Sequence, residues 1–325
     1  MAATAARMVP GYRHLPGNHC GSTALRNLLS FHGLEMSEEM ALGLGAGVSF
    51  YYVVLAGSSP SRFTNGRTGR LEEQFVELTG APLRLATFDD PDAAWDAARG
   101  AVDAGRPALL ITDLYYLDHY GTSAHFPGHA VVLAGYDAEV AYLSDTGFEE
   151  LQVTRLAGLK RARHGDHPVF PLEGHMFTLD GSAEIADLSA AAPAAIARCA
   201  AGMLEPELGD FQGLPALRRF AAEVGGWPDA AEDSRWCARF LYQVIERRGT
   251  GGGNFRLMYS RFLDEAGYDE GALARAAAAA WTSLAAAAQA ASEPEEPESA
   301  LWAAVADEAA AVLEAEERLW SALVR

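Results

Sequence analysis

The pattern of apolar and polar residues changes character once along the chain, near residue 182. Before that point, helical periodicity alternates with short runs of β-branched and aromatic residues that predict strands. After it, an almost unbroken Ala-rich helical pattern continues to the C-terminus. We therefore predict two domains: an α+β domain over residues 1–182 and an all-α helical bundle over residues 183–325.

Helices are predicted at four places in the first domain. Apolar residues recur at helical spacing over residues 20–32, and Gly33 follows as a helix stop. Ser37, with two glutamates behind it, is typical of an N-cap that opens a short second helix. The other two helical patterns cover residues 70–78 and 91–103.

Strands are predicted from runs rich in β-branched and aromatic residues: 48–55, 107–114, 129–137, 140–145 and 175–180. Only Ala138 and Glu139 separate the third run from the fourth, which indicates an antiparallel hairpin. Because the start of one strand then lies beside the end of the other, His129 and Asp145 become neighbours. The chain lacks a strand-helix alternation with a glycine fingerprint, which argues against a doubly wound nucleotide-binding sheet.

Charge and cysteine content narrow the class of protein. The chain carries 44 acidic and 25 basic residues, a formal net charge of -19 at pH 7. Nucleic acids and anionic membranes require a basic surface, so we expect neither as a partner. Three cysteines are too few for a disulfide framework, and no apolar run has the length of a signal peptide core or a membrane span. We expect a cytoplasmic protein.

Cys20 is the candidate nucleophile. A thiol attacks as the thiolate, and its pKa falls at a helix N-terminus beside a base that can become a charged histidine. Cys20 opens the first predicted helix, and His129 with Asp145 completes a Cys-His-Asp constellation. Each residue also has an ordinary interpretation: a small buried hydrophobe, a strand-end histidine and a turn residue. We expect Cys199 and Cys237 to be buried and inert.

A zinc site is the alternative for the histidines. His119, His125 and His129 lie in one segment, and catalytic zinc takes three nitrogen or sulfur ligands. The further ligands would come from His14, His19 or Cys20. Because no helix is predicted there to set the spacing and no Cys-x-x-Cys pair is present, we predict no bound metal. The common serine-hydrolase, zinc-protease and NTPase motifs do not occur either.

Several segments together carry a resemblance to a known family. In the first domain they are "HCGSTALRNLLSFHGLEMSEEMALGLGAGVSFYY", "NGRTGRLEEQF", "HFPGHAVVLAGYD" and "YLSDT", and in the second "IERRGTGGGNFRLMYSRFLDEAG". They resemble the butirosin biosynthesis protein H family, in which a helical domain accompanies the N-terminal one. Because that N-terminal domain is itself similar to papain-like and C39-like cysteine peptidases, the resemblance implies a papain-like catalytic domain.

The activity that the resemblance implies is acyl transfer in antibiotic or other secondary metabolism. An acyl or aminoacyl group moves from the phosphopantetheine thioester of an acyl carrier protein to a small amine or amino sugar, or closes a ring within one substrate. Cys20 then carries the acyl group, His129 is the general base and later acid, and Asp145 orients His129. Related peptidases place a Gln six residues before the nucleophile as oxyanion donor. Here that position is His14, and Asn18 is the other candidate.

Docking of an acidic carrier protein requires basic surface on this acidic chain. One candidate is residues 159–167, "LKRARHGDH", and the other is the segment "ERRGTGGGNFR", in which glycines lead into a helix opened by Asn254. Glycines and arginines at a helix N-terminus can hold the phosphate of a pantetheine arm. The candidate residues are Arg247, Arg248, Gly251, Gly252, Asn254 and Arg256. The alternative is a tight turn between helices. No cofactor is expected beyond the phosphopantetheine of the donor.

Two other classes of function stay open. A cysteine peptidase or amidase would use the same three residues, and a chain that has lost its chemistry would serve as a binding component. The aromatic segment 113–126 is either a wall that keeps water from the acyl-enzyme or ordinary core packing of Tyr115 and Tyr116. The Ala-rich final helices offer a candidate face for a homo-oligomer through Trp281, Trp302 and Trp320.

Overall fold

The structure is a computed structural model, and it describes residues 5–165, 170–183, 185 and 188–324. By its internal contacts the chain divides into two compact units. Unit 1 contains Met1–Ala41 and Glu72–Ala186, and unit 2 contains Leu42–Leu71 and Asp187–Arg325. The chain therefore enters unit 2 early, returns to unit 1 and then enters unit 2 again.

The described strands are β1 (Arg7–Met8), β2 (Val48–Val54), β3 (Arg62–Arg67), β4 (Leu83–Ala86), β5 (Ala108–Thr112), β6 (His129–Tyr136), β7 (Val140–Ser144), β8 (Gln152–Arg155), β9 (His164–Gly165), β10 (Leu172–Glu173) and β11 (Met176–Leu179). The described helices are α1 (Cys20–Phe31), α2 (Glu38–Leu44), α3 (Leu71–Thr79), α4 (Pro91–Asp103), α5 (Leu156–Ala162), α6 (Leu188–Leu204), α7 (Gly213–Glu223), α8 (Trp227–Ala230), α9 (Ser234–Tyr242), α10 (Arg256–Glu265), α11 (Gly271–Ala291) and α12 (Ser299–Ala322).

An antiparallel sheet forms the centre of unit 1. Its strands follow the order β4, β11, β5, β6, β7 and β8, and β1 also pairs with β6. β6 is a continuous apolar run after His129, and its residues are buried up to Gly135. The register sets Thr112 opposite His129 and Val132 opposite Ser144. The end of β5, the start of β6 and the end of β7 therefore lie at the same end of the sheet.

Helices α1 and α4 contribute to the core of unit 1. α1 buries Leu25, Leu28 and Leu29 completely, at the spacing that keeps side chains on one face of a helix. α1 ends at Phe31 before Gly33, whose φ of 89° is a left-handed conformation that glycine adopts without strain. The Asp90 side chain caps α4 by accepting from the N–H of Ala93 at 2.7 Å. Each fully buried leucine contributes roughly 1.5–3 kcal/mol.

Aromatic side chains fill the core of unit 2, which consists of the β2–β3 hairpin and helices. Phe50 on β2 lies 5.8 Å from Phe220 and 5.3 Å from Trp281, between ring centroids. Tyr52 stacks on Trp227 at 6.2 Å. Because β2 buries these large rings among the helices, the hairpin is part of the helical core.

A buried ion pair lies in the same core. Arg256 Nε is 2.7 Å from Glu316 Oε1, and both side chains are 0% exposed. The indole N–H groups of Trp281 and Trp320 donate to the two carboxylate oxygens at 2.6 and 2.5 Å. Arg256 Nη1 donates to the carbonyl oxygens of Ser49, Gly66 and Asn254. A buried charge pair with this many hydrogen bonds is compensated for its lost hydration.

The predicted mixed α and β part with an antiparallel sheet, followed by helices, is confirmed. α4 has the predicted bounds, α1 begins at Cys20, and the turn between β6 and β7 contains Ala138 and Glu139 as predicted. The short strands β1, β3, β4, β8, β9 and β10 and the helix α5 were not predicted.

The tryptophans of the last helices are buried, contrary to the expectation that they lie on an exposed face. Trp281, Trp302 and Trp320 are at most 2% exposed and belong to the core of unit 2. They therefore offer no face to a second copy of the chain. Within the part of the chain that the structure describes, no helix combines the length and the apolar character needed to cross a membrane.

Candidate active site

Cys20 is the first residue of α1 and is half-buried. His19 is the N-cap, with an extended backbone at φ -107° and ψ 130°. Its Nδ1 accepts from the N–H of Ser22 at 3.3 Å. The first N–H groups of a helix have no acceptor within the helix. The backbone N–H groups of Cys20 and Gly21 are therefore donors beside the thiol.

A buried carboxylate organises the loop before α1. Glu38 is 5% exposed and accepts from the backbone N–H of Asn18 at 3.0 Å and of His19 at 2.6 Å. It also accepts from the hydroxyls of Ser22 at 3.2 Å and Thr23 at 3.0 Å. Hydrogen bonds to a charged acceptor are stronger than neutral ones. Glu38 therefore fixes the backbone on both sides of the thiol.

Gly17 makes room for this carboxylate. A Cβ at Gly17 would lie 2.1 Å from Thr23 Oγ1 and 2.8 Å from Glu38 Oε2, distances that real Cβ atoms do not adopt. The N–H of Gly17 donates to the carbonyl oxygen of Thr146 at 3.0 Å. The loop before α1 is therefore joined to the segment that follows β7.

His129 begins β6, and Asp145 follows β7 directly. His129 Nε2 lies 2.9 Å from Asp145 Oδ1, as the hairpin prediction required. The thiol of Cys20 lies beside the His129 ring, and each of the two groups shifts the pKa of the other. Because Nε2 is taken by the carboxylate, Nδ1 is the nitrogen that is left for the thiol. The structure therefore brings together a thiol, an imidazole and a carboxylate in series.

Asp145 is 1% exposed and surrounded by donors. Its Oδ1 accepts from the backbone N–H of Thr146 at 2.7 Å and from the Tyr120 hydroxyl at 3.1 Å, in addition to His129. Its Oδ2 lies 2.8 Å from Nε2 of His119. These contacts fix the plane of the carboxylate, and with it the orientation of the His129 ring.

The electrostatics of the three groups favour a thiolate beside an imidazolium. Burial raises the pKa of Cys20, but the neighbouring histidines, His19 and His129, outweigh burial and hold this pKa well below the usual value. Burial lowers the pKa of His129, but the Asp145 carboxylate outweighs burial and raises it. Burial raises the pKa of Asp145, but the His129 charge and the His119 hydrogen bond hold it below the usual range. The thiolate is the nucleophilic form of cysteine.

His14 does not occupy the position of an oxyanion donor. Its Nδ1 lies 2.7 Å from Ser144 Oγ, and its Nε2 lies 2.8 Å from the carbonyl oxygen of Phe148. Both ring nitrogens are thus taken up by the segment that carries Asp145. The prediction is corrected accordingly: His14 holds this segment in place.

Asn18 is placed differently. It is exposed, and its Nδ2 donates to Glu38 at 3.2 Å. A side-chain amide has two N–H bonds, so the second is available to another acceptor. Asn18 stays a predicted oxyanion donor, together with the backbone N–H groups of Cys20 and Gly21.

The histidines between β5 and β6 do not converge on one point. His119 and His129 bind opposite oxygens of Asp145, whereas His125 Nδ1 lies 2.5 Å from Asp113 Oδ2. In residues 5–165, 170–183, 185 and 188–324, no group of three or more His, Cys, Asp and Glu side chains is placed to hold a metal ion.

The aromatic segment between β5 and β6 has two environments. Tyr115 is 39% exposed and stacks on His125 at 4.0 Å between ring centroids. Tyr116 packs against the core of unit 1. Tyr120 reaches Asp145 with its hydroxyl. The segment therefore contributes to the core and also supplies side chains to the candidate site.

The Gly-rich segment of unit 2 is a turn that closes on itself. Positive φ angles run through it: 70° at Gly249, 66° at Gly251, 98° at Gly252 and 55° at Gly253. The N–H of Gly252 donates to Thr250 Oγ1 at 3.1 Å, and that of Gly253 donates to the Glu246 carboxylate at 3.2 Å. A Cβ at Gly253 would lie 2.6 Å from the carbonyl oxygen of Ala278. The amides of Gly252 and Gly253 are occupied and Gly253 is packed against α11, so the turn interpretation is favoured over the phosphate site.

The residues beside this turn do not form the predicted phosphate site either. Asn254 is 2% exposed and does not open a helix, because α10 begins at Arg256. Arg256 is fully buried in its ion pair. Arg247 and Arg248 are exposed. Arg248 donates to Gln243 at 2.8 Å. Only the two exposed arginines stay candidates for contact with a carrier protein.

The basic segment of unit 1 is also smaller than its sequence indicates. Arg163 is 1% exposed and donates to two buried carbonyl oxygens of unit 1. Lys160 is paired with Asp92 at 2.6 Å. Arg161 is exposed. Asp166 and His167, which the prediction included, lie outside the described residues.

Cys199 and Cys237 are buried, as predicted. Burial raises the pKa of Cys199 to about 11. Burial also raises the pKa of Cys237. Both groups are held as thiols, in contrast to Cys20.

Two family models cover most of the chain. Residues 19–146 match the model of butirosin biosynthesis protein H, N-terminal, and residues 157–323 match a domain of unknown function (DUF4872). The chain belongs to the butirosin biosynthesis protein H-like family. No curated protein matches it. The resemblance inferred from the sequence is thus confirmed. Within this butirosin biosynthesis protein H-like chain, Cys20, His129 and Asp145 all fall inside the N-terminal match.

The roles of Glu38, His119 and Tyr120 in the site were missed in the sequence. The pattern at Ser37 predicts only a capped helix, and the cap is confirmed by the bond from the N–H of Met40 to Ser37 Oγ at 2.9 Å. Glu38 instead turns back to the loop before α1. His119 is named in the sequence analysis only as a candidate zinc ligand and Tyr120 only within the aromatic segment, and no local pattern places either beside Asp145.

Proposed function

We propose that this member of the butirosin biosynthesis protein H-like family is a cysteine-dependent acyltransferase with a papain-like catalytic domain. It moves an acyl or aminoacyl group from an acyl-carrier-protein thioester, through Cys20, to an amine in natural-product biosynthesis. The observation that carries the proposal is the series of Cys20 at the N-terminus of α1, His129 beside its thiol and Asp145 hydrogen-bonded to His129. The matched family is named for a butirosin biosynthesis protein, which supports a biosynthetic role.

The first half-reaction forms an acyl-enzyme. The Cys20 thiolate attacks the thioester carbonyl, the new bond joins Sγ to the acyl carbon, and the bond to the pantetheine sulfur breaks. The leaving thiolate takes the proton of the His129 imidazolium. One thioester is exchanged for another, and the proton that the leaving pantetheine sulfur takes from His129 offsets the lowered pKa of Cys20. The tetrahedral oxyanion lies beside the N–H groups of Cys20 and Gly21.

The second half-reaction passes the acyl group to an amine. Neutral His129 accepts the proton of the attacking amine, the carbon–nitrogen bond forms, and the bond to Cys20 Sγ breaks. The thiolate and the imidazolium are restored together. Asp145 holds the imidazole in the tautomer that presents Nδ1 to the thiol and stabilises the charge that returns to the ring.

The partner of this reaction is proposed from the chemistry of the donor. Formation of an amide from an amine requires an activated acyl donor, and a carrier-protein thioester provides one. Carrier proteins are acidic, and this chain has a formal net charge of -19. We therefore expect weak docking that depends on a few local arginines and on salt concentration.

The test is the intact mass of the protein after mixing with a panel of acyl-pantetheine thioesters. We expect one acyl-sized mass gain on the native chain and none on Cys20→Ala. Cys199→Ala and Cys237→Ala are matched controls, because both thiols are buried, and both variants should acylate like the native chain. Added amine should remove the acyl group and yield the amide.

Two results would contradict the proposal. The first is the absence of an adduct with every thioester of the panel. The second is rapid hydrolysis of peptides without a carrier, together with acyl-enzyme that water discharges faster than amine does. That second result would assign the same three residues to a peptidase or amidase.

A further inference from the structure

We propose that His119 is a positioning residue for the nucleophilic site. It holds Oδ2 of Asp145, so that Oδ1 stays directed at His129 and the charge reaches Cys20. The inference rests on the proposed function, because it assigns a role within the same site.

The two histidines bind opposite ends of one carboxylate. His119 Nε2 lies 2.8 Å from Oδ2 of Asp145, and His129 Nε2 lies 2.9 Å from Oδ1. The side chains of both histidines are 6% exposed, and that of Asp145 is 0% exposed. A carboxylate held at both oxygens cannot rotate about its Cβ–Cγ bond without losing a charge-assisted hydrogen bond. Each histidine therefore helps to fix the orientation in which the Asp145 carboxylate binds the other histidine.

The other ring nitrogen of His119 identifies its tautomer. Nδ1 is buried and has no hydrogen-bond partner within the described residues. A proton on Nδ1 would be a buried N–H without an acceptor, which is costly. The proton is therefore on Nε2, and His119 donates it to Asp145 as a neutral ring. A neutral donor fixes the carboxylate without neutralising the charge that His129 requires.

The ring of His119 is itself held in place. Tyr120 lies 4.8 Å and Phe148 5.2 Å from it, between ring centroids. Three ionisable side chains face Asp145: His119, Tyr120 and His129. Burial and the Asp145 charge raise the pKa of Tyr120, so its hydroxyl stays a neutral donor. The thiol of Cys20 is faced by His19 and His129.

Loss of the donor has a defined consequence. Without His119, Oδ2 of Asp145 loses a hydrogen bond, and the carboxylate is free to turn away from His129. The imidazolium of His129 is then held less firmly, and the thiolate of Cys20 loses part of its stabilisation. The proton should stay on Cys20 to higher pH.

The experiment measures the rate of Cys20 alkylation by iodoacetamide against pH, followed by intact mass, in the full chain. In His119→Leu we expect the inflection of the profile to rise by about one pH unit, the shift expected for one hydrogen bond to a charged group. His119→Gln keeps an N–H donor and should restore most of the native profile. A structural role alone would not produce this rescue.

The matched control is His32→Leu in unit 1. His32 Nδ1 lies 2.7 Å from the carbonyl oxygen of Gly181, and its Nε2 is buried without a partner in the described residues, so His32 is also a histidine with one bonded and one buried ring nitrogen, but it does not contact Asp145. Its profile should match the native one. If His119→Leu fails to fold, His119→Asn replaces it, because its shorter side chain does not reach Oδ2, and the same shift is expected.

The inference is overturned if the His119→Leu or His119→Asn profile coincides with the native one, or if His119→Gln is displaced as far as they are. Either result leaves acylation of the native chain, and hence the proposed function, intact. A native Cys20 that titrates as an ordinary thiol overturns both, and it is recognised from the native curve alone.

Discussion

Asp145 in unit 1 and Glu316 in unit 2 are both buried carboxylates surrounded by donors, at 1% and 0% exposure. Glu316 is bound by the guanidinium of Arg256 and by two indole N–H groups. Asp145 is bound by two histidines, a tyrosine hydroxyl and a backbone N–H. Both buried carboxylates are therefore fully hydrogen-bonded, but by two different sets of donors.

The partners determine what each carboxylate does. Arginine and tryptophan keep their protons throughout the working pH range, so the charge around Glu316 is fixed and serves stability. A histidine ring can release and regain a proton during a reaction, so the charge of Asp145 acts through His129 on the thiol. Glu316 therefore serves stability, whereas Asp145 can take part in a reaction.

The largest effect is expected from Asp145→Asn, which removes the charge and preserves the shape. The rate of amide formation from a thioester and an amine should fall on the order of 10²- to 10⁴-fold, because the His129 imidazolium loses its counter-charge. Product formation by mass spectrometry measures it. Asp103→Asn, at an exposed ion pair with Arg7, should retain the native rate. Equal rates for the two variants would remove Asp145 from the mechanism.

Glu316→Gln tests the other carboxylate through stability. The variant leaves the Arg256 charge buried without its counter-ion, so the free energy of unfolding should fall by about 3–5 kcal/mol. Chemical denaturation measures it. Glu317→Gln on the same helix loses only the exposed ion pair with Arg218, so a change below about 1 kcal/mol is expected. Comparable losses in both variants would contradict a structural role specific to Glu316.

Glu38→Gln tests the loop before α1. One carboxylate oxygen becomes an N–H₂ group that faces donors, so the loop around Cys20 loses hydrogen bonds. Alkylation of Cys20 at pH 7 should slow by about tenfold, the equivalent of one such bond. Glu35→Gln, at an exposed residue that accepts from Ser30, is the control and should react at the native rate. A native rate in Glu38→Gln would show that the loop is positioned without it.

The smallest effect is on stability against pH. In the folded chain the pKa of Cys20 is lowered from 9.0, and that of His129 is raised from 6.5 to about 10. Between the lowered Cys20 pKa and 6.5 the unfolded pair binds more protons, so stability rises with pH. Between 6.5 and 9 both states bind one proton, and stability is level. Between 9 and 10 the folded pair binds more, so stability falls, by about 1 kcal/mol.

The measurement is the difference in unfolding free energy between the native chain and Cys20→Ala/His129→Gln across pH 5 to 10. The level region between pH 6.5 and 9, with a decline above it, is the expected shape. A difference that does not change between pH 9 and 10 would contradict the raised pKa of His129.

Local sequence signals were sufficient to predict Cys20, His129 and Asp145 as the candidate site. The helix stop at Gly33, the cap at Ser37 and the two-residue turn of the β6–β7 hairpin act within a few positions of one another. The meeting of His129 and Asp145 follows from that turn alone. Each of these features is determined by residues that are close together in the chain, so a single sequence is enough to predict it.

The contacts between distant segments were not predictable. Glu38 reaches Asn18 twenty positions away, and His14 reaches Ser144 across 130 positions. The burial of Arg256 depends on Glu316, sixty positions later. A run of glycines and arginines has the same local pattern in a phosphate site and in a packed turn. The close packing of Gly253 against Ala278 of α11 is what distinguishes the turn from a phosphate site.

The most direct test of the account is the state of the Cys20 thiol in the native chain. Iodoacetamide alkylation of Cys20 should be fast at pH 6, where an ordinary thiol is almost entirely protonated. It should slow sharply in His129→Ala at the same pH. An alkylation rate that rises only with the titration of an ordinary thiol near pH 8.5, and that is unchanged in His129→Ala, would contradict the assignment of Cys20 as the nucleophile.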